Sequence, residues 1–130
     1  MKKDCEALTP PFYVDTIIRE CDFISLHLPL TQETRHILNK ENLKRAKSNL
    51  IIVNTARGGL LDEDALYELL KERKLYGLGL DVFEQEPPQN SKLLTLPNVI
   101  VSSHTAASTQ EAINAMSRMA VENLICSLEA

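Results

Sequence analysis

Three polar residues of different chemistry each follow a short apolar run: Arg57 after Leu50-Ile51-Ile52-Val53, Glu86 after the run ending at Phe83, and His104 after Val99-Ile100-Val101. An arginine fork holds a carboxylate through two parallel hydrogen bonds, which fixes orientation as well as charge. A histidine takes a hydroxyl proton and later returns it, and a carboxylate at its other nitrogen fixes the tautomer and strengthens it as a base. Together the three would suit oxidation of an alcohol beside a carboxylate, or the reverse reduction, with hydride chemistry supplied by a nicotinamide. Each also admits a plainer role. Arg57 could neutralise nearby carboxylates, Glu86 before Pro87-Pro88 could be an exposed loop acid, and His104 after Ser102-Ser103 could satisfy a buried carbonyl. His27 reads as a strand residue packed against the sheet, and His36 as a residue of a polar turn without functional signal.

Residues so far apart in sequence meet only if the elements before them lie side by side. A helix is expected over 13–20, then a strand over 23–28 stopped by Pro29. Asn39 is placed to cap a helix over 40–46, because its carboxamide accepts an unpaired amide proton of the first turn. The β-branched run 50–53 fits a strand buried on both faces. Arg57-Gly58-Gly59 breaks it, and Asp62 caps a helix over 63–74 whose Ala65, Leu66, Leu69 and Leu70 form an apolar stripe. A third strand spans 76–83, where Gly77 and Gly79 permit close backbone approach, and a fourth spans 99–102. Ser108-Thr109-Gln110-Glu111 has capping-box spacing. The helix it opens runs to about Leu128, with Ala112, Met116, Met119, Ala120, Leu124 and Leu128 near one side, as core packing would require. Strands alternating with helices predict an α/β fold: a parallel sheet of about four strands with crossover helices and a long C-terminal helix. Right-handed crossovers bring the strand C-termini to one edge, where ligands bind in open α/β sheets.

Composition removes other classes. Net charge is −4, from 14 basic and 18 acidic residues, so the positive field of a nucleic-acid binder is missing. No apolar stretch approaches the ~20 residues that span a bilayer, and Met1-Lys2-Lys3-Asp4 is polar where a signal peptide is apolar. Cys5, Cys21 and Cys126 are odd in number and widely spaced, which argues against disulfides and a thiolate metal site and suits the cytoplasm. No G-x-G-x-x-G joins a strand to a helix, since Gly77-Leu78-Gly79 lacks the third glycine. If this is part of a larger sheet, one edge strand should expose its backbone and invite pairing with a partner.

Four blocks stand in order: DFISLHLPLTQETRHILN at 22–39, IVNTARGGLLDEDAL at 52–66, GLGLDVFEQEPP at 77–88 and LPNVIVSSHTAASTQEA at 96–112. Together they resemble the D-isomer-specific 2-hydroxyacid dehydrogenase family, its D-3-phosphoglycerate dehydrogenase branch included. The resemblance implies a partial Rossmann-like NAD-binding domain over 1–107 and, over 108–130, a helix leading toward a substrate domain. It implies that Arg57 binds the substrate carboxylate, Glu86 partners the catalytic histidine, and His104 is the general acid/base. It further implies a cofactor, NAD with NADP still open, lined by Thr55, Ala56, Arg57, Asp81, His104 and Ala106 at the nicotinamide and by Leu28, Pro29 and Leu30 beside the adenosine. Where the family commonly has proline before the histidine, this chain has Ser103, which lifts a φ restriction. The expected activity is that of an oxidoreductase for a small 2-hydroxy or 2-oxo acid, acting as a homo-oligomer without nucleic-acid or membrane partners. Lacking the phosphate-binding glycine turn and the second domain, the 130 residues alone are expected to show little or no catalysis. The alternative is a noncatalytic binding or assembly module derived from a truncated dehydrogenase.

Overall fold

The computed structural model describes residues 12–89 and 91–128. Four short strands, β1 (Phe23–Leu26), β2 (Ile51–Asn54), β3 (Gly77–Leu80) and β4 (Val99–Val101), form one parallel sheet in the order β1-β2-β3-β4. The register pairs Leu26 with Asn54, Asn54 with Leu80, and Leu80 with Val101, so the four strands end level along one edge. Helices α1 (Phe12–Glu20), α2 (Lys40–Leu43), α3 (Glu63–Lys71) and α4 (Gln110–Leu128) complete the architecture.

Every crossover steps the same way along the sheet. With right-handed crossovers, that order places the connecting helices on one face. The burial pattern follows: Ile24, Leu26, Ile52, Leu78 and Leu80 are buried and share a core with Ile18, Leu43, Leu66, Leu69 and Leu70 from the helices, and Asn54 is buried on the same face. On the other face Ile51 and Val53 are half-buried, while Phe23 is 57% and Ile100 78% exposed. The expectation that 50–53 is buried on both faces is therefore corrected. β1 lies at a sheet edge, as expected for an exposed strand, and among the described residues no strand pairs with its outer side.

Local signals set the helix starts. Asn39 Oδ1 accepts from the amides of Glu41 and Asn42, while Asn42 Oδ1 accepts from the Asn39 amide, a reciprocal box the expectation did not include. Asp62 Oδ1 accepts from the Ala65 amide and caps α3. At α4 the expected box is corrected. Ser108 belongs to a 3-10 turn, Ala106–Ser108, and Thr109 caps the helix by accepting from the Ala112 amide at 3.1 Å. An N-cap needs extended backbone, which Thr109 has.

The elements are shorter than expected. The strand 23–28 stops at Leu26, 76–83 at Leu80, and the helices 40–46 and 63–74 at Leu43 and Lys71. No described residue of α4 is buried, and Met116, Met119, Leu124 and Leu128 are all exposed, so its apolar side is not core. Among the described residues no helix is long and apolar enough to cross a membrane.

Candidate active site at the strand ends

β2 ends in Asn54, a fully buried polar residue at the close of an apolar run. Its Oδ1 accepts from the Ala56 amide at 3.0 Å and its Nδ2 donates to the Arg57 carbonyl at 2.9 Å. This side-chain-to-backbone turn satisfies the two buried polar ends and turns the chain out of the sheet at Arg57. Arg57 itself is exposed, and its Nη1 donates to the Ala56 carbonyl at 2.6 Å. The 3-10 turn Gly58–Leu60 follows. A Cβ on Gly58 would stand 1.9 Å from the Phe83 carbonyl carbon and 2.3 Å from the Glu84 amide nitrogen. Both obstacles are backbone, so only glycine lets the turn after β2 rest on the peptide after β3.

The chain leaving β3 carries two carboxylates toward the loop after β4. Asp81 Oδ1 accepts from the His104 backbone amide at 2.9 Å and from the Ser102 hydroxyl. Glu86 Oε1 accepts from the Phe83 amide at 3.1 Å, and its Oε2 takes a hydrogen bond from His104 Nδ1 at 2.9 Å. With a carboxylate opposite it, Nδ1 carries the proton, and in the neutral ring Nε2 is left as the acceptor. His104 has φ 53°, in the left-handed region that side chains disfavour. Such a conformation persists where its surroundings over-determine it, and here the two carboxylates do so from the ring and the amide.

The electrostatics match this arrangement. The Glu86 carboxyl is held below its ordinary value chiefly by the His104 ring, then by the Phe83 amide, with smaller attraction from the charges of His104 and Arg57; burial opposes. Asp81 is also lowered, first by the Ser102 hydroxyl and also by the His104 amide and charge, against burial. The His104 and Glu86 side chains remain 43% and 40% exposed, open to a ligand. Arg57 shares no hydrogen bond with either among the described residues and is linked to Glu86 through charge.

Thr55 is exposed and Ala56 half-buried in the turn after β2. Leu28, Pro29 and Leu30 form an exposed loop after β1, steadied by the Thr34 hydroxyl donating to the Pro29 carbonyl at 2.7 Å. Ala106 opens the 3-10 turn beyond His104, and its side chain lies outside the described residues. Cys21 and Cys126 are free thiols, while Cys5 lies outside the described residues. No cluster suited to a metal ion occurs among the described residues.

One histidine expectation is corrected. His27 lies beyond the end of β1, exposed, with Nε2 2.8 Å from the Ser25 hydroxyl rather than packed on the sheet. His36 lies in a turn as expected, where its amide donates to the Gly59 carbonyl and its Nε2 stands 2.5 Å from Glu84 Oε1. Asn54, Ser102, Glu63 and Glu84 were also missed. A polar residue closing a buried strand two positions before Ala56 could have flagged Asn54. The others carry no local signal.

The exposed polar groups at this edge suit the nicotinamide end of a dinucleotide: two loop backbones, an acceptor nitrogen and an unshielded guanidinium. Among the described residues no glycine turn stands ready for the pyrophosphate end. Of the four glycines in the sequence, Gly58 and Gly59 build the turn beside Glu84, and Gly77 and Gly79 lie within β3.

Comparison with known proteins bears on the same residues. A family model described as D-isomer specific 2-hydroxyacid dehydrogenase, NAD binding domain, matches residues 2–106. The chain is 56% identical over 102 residues to a hydroxypyruvate reductase of Thermotoga maritima, covering 76% of this chain and 33% of the relative. It is 51% identical over 111 residues to a D-3-phosphoglycerate dehydrogenase of Methanocaldococcus jannaschii, covering 85% and 21%. The D-lactate dehydrogenase of Aquifex aeolicus, solved with NAD and lactic acid, superposes with a TM-score of 0.77 at 34% identity, covering 89% of this chain and 40% of that one. The chain thus spans about a third or less of the length of these two curated relatives.

Proposed function

The chain belongs to the D-isomer-specific 2-hydroxyacid dehydrogenase family, as a portion of its NAD(P)-binding domain, and on that premise we propose that Arg57, Glu86 and His104 form its catalytic set. The reaction is interconversion of a small 2-hydroxy acid with its 2-oxo counterpart. The observation that carries this reading is the 2.9 Å contact from His104 Nδ1 to Glu86 Oε2. It turns an exposed ring into an oriented base with Nε2 available.

In the oxidative direction Nε2 takes the substrate hydroxyl proton, and in the reductive direction it returns that proton to the nascent alkoxide. Glu86, kept ionised by its two donors, stabilises the imidazolium formed meanwhile. The Arg57 guanidinium, bonded among the described residues only to its neighbour's carbonyl, offers the rest of its fork to the substrate carboxylate. A nicotinamide, when bound, supplies or accepts the hydride. Thr55, Ala56, Asp81, His104 and Ala106 would hold that end of the cofactor, and Leu28, Pro29 and Leu30 the adenosine side. NAD is our assignment; NADP fits the same residues, since Leu28, Pro29 and Leu30 on the adenosine side carry no charge to discriminate a 2′-phosphate.

The 130 residues by themselves should turn over poorly, because none of their four glycines belongs to a glycine turn that presents amides to the phosphates. The test is a chimera in which residues 22–112 replace the matching part of the Thermotoga maritima hydroxypyruvate reductase. Turnover with NADH should survive the graft. His104→Ala should then lower kcat by about 10²–10⁴-fold, the usual range for a general acid/base, and Arg57→Ala should mainly raise KM for the 2-oxo acid. An active chimera indifferent to His104→Ala sinks the proposal.

A second reading, assembly, is favoured by one observation: the uncovered sheet face and α4 together expose Phe23, Ile100, Met116, Met119, Leu124 and Leu128. Exposed apolar surface of this kind marks interfaces, so we assign the protein a homo-oligomeric state. Its free thiols suit the cytoplasm. Light scattering that finds only monomer at micromolar concentration would remove the assembly reading.

A further inference from the structure

Between Asp81 and Glu86 the chain passes through Phe83 and Glu84, and this stretch is gripped from three sides. Gly58 lies under the peptide joining the two residues, too close for a side chain. The Glu84 carboxylate is met by Arg35 Nη2 at 3.2 Å and His36 Nε2 at 2.5 Å, from the loop that follows β1. The Glu84 amide donates to Glu63 Oε1 at 2.7 Å. Successive amides are thus taken by different carboxylates: Phe83 by Glu86 within the loop, and Glu84 by Glu63 from the first turn of α3, 21 residues earlier.

Glu63 has a plainer role available, since an acid in a first turn favours the helix dipole. Asp64, exposed in the same turn, serves that role without reaching the loop. The Asp62 side chain already caps α3 through the Ala65 amide, so Glu63 is not needed as the cap. Glu63 is half-buried, and burial pushes its carboxyl above the ordinary value, against the Glu84 amide that favours its charge. A desolvated carboxylate directed at one remote amide is a costly way merely to start a helix.

We infer that Glu63 is a positioning residue for the proton-transfer pair, holding the Glu84 peptide so that Glu86 meets His104 Nδ1. It touches neither substrate nor His104, and the inference rests on the catalytic reading given above. Its consequence is tautomeric: without Glu63 the loop loosens, Glu86 loses its approach to Nδ1, and the His104 ring proton redistributes toward Nε2.

The 130-residue chain itself serves for the test. Long-range ¹H–¹⁵N spectra at mildly alkaline pH report what fraction of neutral His104 carries its proton on Nδ1. Wild type should be mostly Nδ1-protonated. Glu86→Ala should remove that preference, and Glu63→Ala should lower the Nδ1 to Nε2 ratio about threefold or more, an effect that a purely helical role predicts equally for Asp64→Ala. Glu63→Gln keeps an acceptor and should retain the wild-type tautomer while shifting the Glu84 amide proton upfield as the bond loses its charge. That second measurement stands even if Glu63→Ala fails to fold. Glu63→Ala with the wild-type ratio, Asp64→Ala with an equal fall, or an unmoved Glu84 amide in Glu63→Gln would each overturn the inference. Glu86→Ala with a wild-type ratio would instead overturn the catalytic reading beneath it.

Discussion

After β2 and β3 the chain enters turns whose backbone is anchored to the interior, whereas after β4 it enters a loop anchored by the site. The β2 turn hangs on the buried Asn54 carboxamide and on Gly58 packed against the Phe83–Glu84 peptide. The β3 turn begins with Val82 and Phe83 buried and is gripped through Glu84. Beyond β4, Ser102, Ser103, His104 and Thr105 are all exposed, and the ties from His104 run to Asp81 and Glu86. Arg57 and Glu86 are therefore placed by folding, and His104 by carboxylates that folding has already placed. A loop held in this way can be freed without unfolding the sheet, because opening free energies differ among the parts of one domain.

The contrast is sharpest under substitution. Gly58→Ala should cost about 3 kcal/mol, at the upper end for overpacking, because the new methyl meets backbone on both sides. Urea unfolding would show this, and a loss below about 1 kcal/mol would mean that the two turns are not locked together. Asn54→Ala should cost about 2 kcal/mol by stranding the Ala56 amide and leaving the Arg57 carbonyl with the Leu60 amide as its remaining donor. Asp62→Ala should cost about 1 kcal/mol through loss of the α3 cap. On the other side of the comparison, Ser102→Ala should change global stability by no more than about 0.5 kcal/mol yet speed hydrogen exchange at the His104 amide. Equal slowing or no change in that exchange would argue that the β4 loop has some further anchor.

The smallest effect is on acid stability, and its sign is determined. Asp81 and Glu86 have lowered values in the fold, so their contribution is complete above the ordinary carboxylate values and is lost as pH falls through the depressed ones. Glu63 runs the other way: its raised value lets the folded state bind a proton earlier, which partly offsets that loss at mildly acid pH. Both lowered carboxylates are largely solvent-screened, so the β4 loop should release before the sheet melts. Following the His104 amide and the far-ultraviolet circular dichroism down in pH would show whether the two transitions separate; coincident transitions would break the contrast.

Much of this was legible in the residues alone. Apolar runs bounded by polar or turn residues located all four strands, and the Asn39 and Asp62 caps located two helix starts, because periodicity and capping are properties of neighbours in sequence. The positions of Arg57, Glu86 and His104 after strands were readable for the same reason, given that a parallel sheet ends its strands along one edge. Element ends were less legible. Strand-forming composition continues past Leu26 and Leu80, but the ladder stops there, since a strand persists only as far as its neighbour pairs with it.

Packing accounts for the rest, which concerns pairs of groups from different elements. Which face of the sheet is covered depends on three crossovers that all step in one direction, and Ile51, Val53 and the apolar side of α4 are left less covered than their composition suggests. That Glu63 takes the Glu84 amide, that Gly58 must lack a side chain, and that His104 is held at φ 53° by Asp81 and Glu86 all depend on where three loops meet. Residue order alone set the types of the elements and the family blocks, and it put Arg57, Glu86 and His104 after strands. The packing determined which of them touch, because a hydrogen bond is selected by distance and direction, and neither is written in the separation of residues along a chain.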